Sequence, residues 1–263
     1  MKKLHLQKSN FWGAVQRGRF IERYYNLWDS YGEYIKYGEW LAEPRSAQVF
    51  MGEKLFIRQT GDSLIATYDR GNVSNNTLHS IYPLETNSSV SLYYLLGIIN
   101  SKLLNWYYKI VNYLEVGKPM AEVKGIYIRK LPIATADSYI MENVENSVKE
   151  LMDLCSKRYS LKQEFMNFII NAYEPRKVSD NLDRFYENSF KDFCKELKQQ
   201  KIKLTVAQQM ELFPLFDNYK KDIEQISARI NAVQSSLDDT IFSIYQISQP
   251  VIDIIKQNIQ IDL

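Results

Sequence analysis

The sequence predicts an α+β protein: a mixed, β-rich body over residues 1–135, then a helical spacer or bundle over 136–263. Three observations predict it. Short β-rich runs broken by turn residues fill the first half. Aromatic residues concentrate there, with all four Trp and 13 of the 19 Tyr before residue 136. In the second half, apolar residues recur at helical spacing.

Residues 11–70 read as short strands punctuated at Gly32, Gly38 and Gly52. Runs 53–57 and 63–68 are β-rich, and Thr60-Gly61-Asp62 between them reads as a hairpin loop in which Gly61 can take positive φ. Residues 72–76 form a polar loop and 79–83 a further strand. Residues 91–111 read as one helix capped by Ser89 or Ser91, with Leu92, Leu95, Leu96, Ile99, Leu103 and Trp106 on its apolar face. Gly117-Lys118-Pro119 forces a loop, Ile126-Tyr127-Ile128 reads as a strand, and Pro132 closes the first half.

Val144, Val148, Leu151 and Cys155 then mark an amphipathic helix that extends to Tyr173 with a break near Tyr159-Ser160. Residues 174–206 are polar, with shorter helical pieces such as 183–198. Tyr219, Ile223, Ile226, Ile230, Val233 and Leu237 alternate spacings of 4 and 3, a heptad seam suited to antiparallel pairing with the 144–173 helix.

Length and composition fit one large or two smaller globular domains. Residues 1–135 carry 17 Lys and Arg against 11 Asp and Glu, and residues 136–263 carry 16 against 20. A polyanionic partner would therefore meet the first half. Two cysteines, Cys155 and Cys194, make no disulfide framework and point to a reducing cytoplasm. No apolar h-region follows Met1, and no apolar run approaches a membrane span, so no membrane partner is expected.

No catalytic residue is expected. His5 and His79 are the only histidines, neither cysteine lies in an activating motif, and there is no zinc-ligand cluster or phosphate-cradling glycine loop. Glu122-Val123-Lys124 and Glu196-Leu197-Lys198 lack the second acidic residue that a nuclease metal site needs, and no Asn-Pro-Pro-Tyr-type motif is present.

Several segments carry a family resemblance. Arg17-Gly18-Arg19-Phe20-Ile21-Glu22-Arg23-Tyr24, the stretch 53–69 around Arg58-Gln59-Thr60-Gly61-Asp62, the stretch 95–108 around Leu95-Leu96-Gly97 and Asn100-Ser101-Lys102-Leu103, Lys130-Leu131-Pro132-Ile133 and, more weakly, 237–245 occur in the family's order. Together they resemble the TaqI-like C-terminal specificity domain, the target recognition domain of type IIG restriction–modification enzymes and related phage-defence adenine methyltransferases. Gln246-Ile247-Ser248 departs from the family's tail. The resemblance implies a prokaryotic, cytoplasmic module that reads a short sequence in double-stranded DNA for a methyltransferase, and in some cases a nuclease, joined in cis or in trans. It implies no cofactor for this chain; S-adenosylmethionine and Mg would belong to catalytic modules outside this sequence.

Duplex recognition needs Lys and Arg at phosphates and bidentate side chains at base edges, Arg for guanine and Asn or Gln for adenine. The candidates are Arg17, Arg19, Arg58, Gln59, Thr60, Arg70, Asn72, Asn75, Asn76, Lys118 and Lys124. Arg17 and Arg19 would share one side of an extended backbone. Arg17 or Arg23 can equally stack on Tyr24 or Trp28, or pair with Glu22. Arg58-Gln59-Thr60 belongs to the family signature, which should not differ between DNA targets, so loops 71–76 and 113–124 are the better candidates for base contacts. Two other readings stay open: a protein-interaction module of a defence complex, and an enzyme whose site carries no familiar motif.

Overall fold

The computed structural model describes residues 12–27, 33–36, 38, 40, 52–83 and 90–261. The expected turn at Gly32, the cap at Ser89, and Trp28 and His5 lie outside the described residues. The α+β class holds, with small sheets first and long helices after. The chain divides into two units, one of residues 1–149 with 234–263, the other of 150–233. Beside the expected boundary at 135/136, this grouping adds residues 136–149 and the last thirty residues to the first unit.

In the first unit, β1 (Trp12–Gln16) pairs antiparallel with β4 (Tyr34–Lys36) and parallel with β7 (Val73–Ser74). Strands β2 (Ile21–Glu22) and β3 (Tyr25–Asn26) form a two-stranded ribbon. The third sheet is antiparallel, with β5 (Glu53–Arg58) between β6 (Ala66–Arg70) and β8 (Leu78–Ile81). Lys54 through Ile57 are all buried, so this central strand is covered on both faces and reads as an apolar run rather than an alternation.

The single helix expected over 91–111 is two: α1 (Leu92–Asn100) and α2 (Lys102–Val111). Ser91 caps the first by accepting from the Tyr94 amide. Ser101 leaves the helix at ψ 156° and caps the second, accepting from the Leu104 amide at 3.2 Å. Periodicity alone could not show the break, since the apolar face continues across it. Its physical reason is polar. Asn100 Oδ1 accepts from the Ala66 amide at 3.0 Å and its Nδ2 donates to the Ala66 carbonyl at 2.9 Å. Asn105 Oδ1 accepts from the Leu64 amide at 2.8 Å. Both asparagines are buried, and they serve main-chain groups of the segment entering β6. Replacing Asn100 with leucine should destabilise the fold by about 1–3 kcal/mol, because each buried group left without a partner carries a cost of that order. Chemical denaturation of the variant measures it.

Gly97 sits where α1 meets α4 (Ser138–Tyr173): a Cβ there would lie 2.9 Å from Val148 Cγ2 and 3.0 Å from Val144 Cγ1. The strand expected at 126–128 is instead a short helix, α3 (Gly125–Ile128). The Val123 amide makes the last extended-chain bond, to the Gln59 carbonyl at 2.7 Å, after which the Tyr127 amide turns back to the Lys124 carbonyl.

Beyond α4 come α5 (Asp180–Asp183), a 3-10 turn (Phe185–Glu187), α6 (Phe190–Gln199), α7 (Val206–Ile244) and α8 (Gln249–Asn258). Helix α4 runs unbroken through Tyr159-Ser160. Burial explains why: Phe165, Met166 and Ile169 just beyond that point enter an aromatic-rich core with Leu182, Phe185, Phe193, Leu197, Leu212, Phe216 and Ile223. Four of these ten come from 174–206, the segment read as polar with short helical pieces.

Within the second unit, α4 and α7 pair antiparallel as expected. Arg229 Nε donates to Glu150 Oε1 at 2.7 Å, while Tyr219, ten residues earlier in the chain, donates to Glu164 Oε2 further along α4. The seam residues Ile223, Ile226, Ile230, Val233 and Leu237 are buried.

The end of α7 belongs to the first unit. The Tyr24 hydroxyl donates to Gln234 Oε1 at 2.8 Å, and Asp238 Oδ1 accepts from the Lys102 amide at the start of α2, also at 2.8 Å. Tyr245 donates to the Pro132 carbonyl at 2.5 Å and accepts from the Ala134 amide at 3.1 Å. Two of the family-like segments, 130–133 and 237–245, thus meet. Among the described residues, no helix is long and apolar enough to cross a membrane.

Candidate nucleic-acid interface

Two of the family-like segments, 17–24 and 53–69, meet at Thr77, a residue the sequence did not single out. Its hydroxyl accepts from the Gly18 amide at 2.8 Å and donates to Asn75 Oδ1 at 2.6 Å, and its carbonyl accepts from the Gln59 amide at 3.0 Å. A Cβ at Gly18 would lie 3.2 Å from the Thr77 carbonyl oxygen and 3.5 Å from Arg58 Cγ, so a glycine lets the two arginine-bearing segments approach. The sequence signal for this centre was the Asn75–Thr77 spacing. Asn75 Oδ1 accepts from the amide two residues on, at 3.0 Å, which is an Asx turn.

Arg17 and Arg19 do reach one common point. Both pair with Glu33, although the backbone at Gly18–Phe20 is a 3-10 turn rather than extended. Arg19 also lies over the Phe20 ring, 4.7 Å from its centre. Arg23 is buried and donates to the Leu64 carbonyl at 3.1 Å, so it braces the frame.

Gln59 and Thr60 strap the 113–124 loop to that frame. Gln59 Nε2 donates to Glu122 Oε1 at 2.6 Å, Thr60 bridges Glu122, and the Gly61 amide donates to the Ala121 carbonyl at 2.8 Å. Within the loop, Lys118 and Lys124 meet on a single carboxylate, Glu115 Oε1, at 3.4 and 3.1 Å. The Lys124 hydrogen bond holds the Glu115 carboxyl below its usual range, and Glu115 in turn raises the Lys124 ammonium.

Asn72 folds back on Asp69, donating to Oδ1 from Nδ2 at 2.5 Å and to Oδ2 from its amide at 3.2 Å. Asp69 is also the partner of the buried Lys54, 3.2 Å away. The ion pair therefore anchors the start of the 71–76 loop. Beyond it, Asn75 and Asn76 line an open groove of ≈ 520 Å³ with His79, Ser80, Gly125 and Arg129. His79 Nε2 donates to the Val123 carbonyl at 2.6 Å.

The groove thus brings the 71–76 loop together with the residues that follow the 113–124 loop. Arg129 and His79 belong to it and were not among the candidates. Arg58 and Arg70 stand apart from its lining. Among the described residues, Arg58, Arg70 and Arg129 have no ion-pair partner.

This geometry lies within a segment that a family model covers. Residues 14–133 match the TaqI-like C-terminal specificity domain. The resemblance read from 11–135 therefore stands over nearly its whole length. A specificity domain is not a catalytic one, and its family ties the segment to DNA recognition in restriction–modification systems. Residues 137–241 match a domain of unknown function, DUF8810. No curated protein matches this chain. Within that match, Gln59 straps the 113–124 loop through Glu122, while Asn100 holds the entry to β6 and Ser101 caps α2.

Proposed function

We propose that the first unit reads a short sequence in double-stranded DNA on behalf of an adenine methyltransferase of a restriction–modification or phage-defence system, and that base reading occurs at the 74–81/125–129 groove. The observation that supports this most directly is the groove's lining. Asn76 and Arg129 gather there inside a specificity-domain match, and they are the side-chain types that bond adenine and guanine edges in pairs, while Asn75, its Oδ1 held by Thr77, shapes the turn beside them. Arg129 has no ion-pair partner among the described residues, so its guanidinium is available. Arg17, Arg19, Lys118 and Lys124 would add phosphate contacts that set register. S-adenosylmethionine and Mg belong, in this reading, to catalytic modules in cis or in trans.

Selection from a random duplex pool tests the assignment. Asn76→Ala and Arg129→Ala should each relax preference at one or two positions of the selected motif, losing about 1–3 kcal/mol of discrimination per bidentate contact. Identical motifs from wild type and both variants would move the reader elsewhere.

One observation favours docking of a partner protein instead: Tyr113, Leu114, Val116, Met120 and Ile126 expose apolar side chains on and beside a single loop. A wild-type chain that selects no motif, and binds duplexes without salt dependence, would favour that reading.

A further inference from the structure

The second unit carries a surface that neither the heptad seam nor its aromatic core requires. Between residues 191 and 203 stand five lysines against two acids. Lys191, Lys195 and Lys198 fall at i, i+4 and i+7 on α6, one face of the helix. The helix then ends at Gln199, and Lys201, in the left-handed region at φ 70°, turns the chain back. The Ile202 amide closes that turn on the Leu197 carbonyl at 3.0 Å. The turn returns Lys203 to the same place: Lys191, Lys195, Lys198 and Lys203 line one depression of ≈ 340 Å³, together with Cys194 and Gln209.

The two acids do not neutralise it. Glu196 is buried on the other side of α6, where it accepts from the Ser179 hydroxyl at 2.7 Å and from Asn181. Asp192 pairs with Lys195 alone, at 2.6 Å. Among the described residues, Lys191, Lys198, Lys201 and Lys203 have no ion-pair partner. Helix stability does not account for the arrangement either. Lys191 lies in the first turn of α6, where the helix dipole disfavours a cation. The start of α7, next to Leu204 and Gln209 at the rim, adds partial positive charge of the same sign. Cys194 is no nucleophile here, since burial pushes its thiol up.

We infer that this lysine depression is a phosphate-binding surface that holds the backbone of duplex DNA without reading its sequence. Flexible ammonium groups converging on a shallow polar depression suit phosphate oxygens; no Arg or Asn lines it, and the Gln209 amide there donates to the Leu204 carbonyl at 3.1 Å rather than standing free for a base edge. The choice of duplex DNA as the polyanion rests on the function proposed for the first unit; the anion site itself does not.

The test uses the whole 263-residue chain and fluorescent duplexes, titrated across a range of salt concentrations. The triple variant Lys191→Gln, Lys198→Gln, Lys203→Gln should bind every duplex more weakly and keep the wild-type sequence motif. Its log K against log[salt] slope should be shallower by roughly 2–3, about 0.9 for each phosphate that is no longer neutralised. The matching Lys→Arg triple should retain wild-type affinity and slope, and circular dichroism melts confirm that both variants fold. An unchanged affinity and slope in the glutamine triple, with the wild-type motif intact, overturns the inference and leaves the groove reading standing. Duplex binding that selects no motif but disappears in the triple upholds the lysine surface and removes the groove reading. A wild-type chain that binds no duplex at any salt overturns both.

Discussion

Replacing Lys54 with methionine should destabilise the protein by about 3–5 kcal/mol, because it strands a buried carboxylate without its partner. Lys54 is fully buried, and its ammonium lies 3.2 Å from Asp69 Oδ2 and 3.1 Å from the Gly52 carbonyl. Burial lowers the lysine's pKa, and the Asp69 charge opposes that shift. The pair's value is therefore asymmetric. Removing both charges, as in Lys54→Met with Asp69→Leu, should recover much of the loss, since two desolvation costs disappear together. A double-mutant cycle by urea denaturation reads the difference. The recovery should be confined to stability. Asp69 also receives both hydrogen bonds from Asn72, so the double variant frees the start of the 71–76 loop. It should fold yet lose sequence preference in duplex selection. A double variant that keeps the motif would show that the anchor does not position the groove.

The second large effect is a pH dependence. Asp238 is buried, and its Oδ1 accepts from the Lys102 amide. Burial pushes its carboxyl up to about 6, against the pull of the Lys102 amide, with neighbouring Asp239 adding to the rise. The folded-state pKa therefore exceeds the unfolded value of about 3.9. Such a group favours the folded state below the unfolded pKa, and that contribution is lost as pH rises through the folded one. Between pH 4 and pH 7 the wild type should lose about 2 kcal/mol from this residue, since a tenfold difference in proton affinity between the two states is worth roughly 1.4 kcal/mol. Asp238→Asn keeps an acceptor for Lys102 and cannot ionise, so its stability should not show this loss. Denaturation at pH 4, 5, 6 and 7 compares the two chains; parallel curves would place the titration elsewhere.

Much of this molecule was legible in its sequence where a regular period reports burial directly. The seam from Ile223 to Leu237 is buried along its length, and the 53–57 run became the covered central strand. The helix break at Ser101 was not legible, because Asn100 leaves the apolar period to serve the Ala66 main chain, and a period carries no information about such partners. The strand expected at 126–128 failed for a related reason. Its β-rich residues find no partner strand, and the local turn bonds to the Lys124 carbonyl win. The interior role of Phe185, Phe193 and Leu197 was masked by the charged residues between them, which face outward from the same short helices.

For the candidate site, residue types and order sufficed to name the family resemblance and to separate frame from loops. Arg58-Gln59-Thr60 looked like a reader by chemistry and like scaffold by its place in the signature. In the structure the Gln59 side chain spends its hydrogen bond on Glu122, and Thr60 lies opposite Glu122 in a bridge closed by its neighbours' backbone bonds. What the sequence determined by itself was this local and periodic content: most of the strands and helices, the α+β order, the seam, and the motif that marks a specificity domain. Only the tertiary structure decided which side chains share a place. It joined Asn75 and Asn76 to Arg129, tied both arginine segments to Thr77, and folded Lys203 back beside Lys191. The reason is that a binding surface is a convergence of residues far apart in the chain. The closing contacts are single hydrogen bonds and ion pairs whose partners no local pattern specifies.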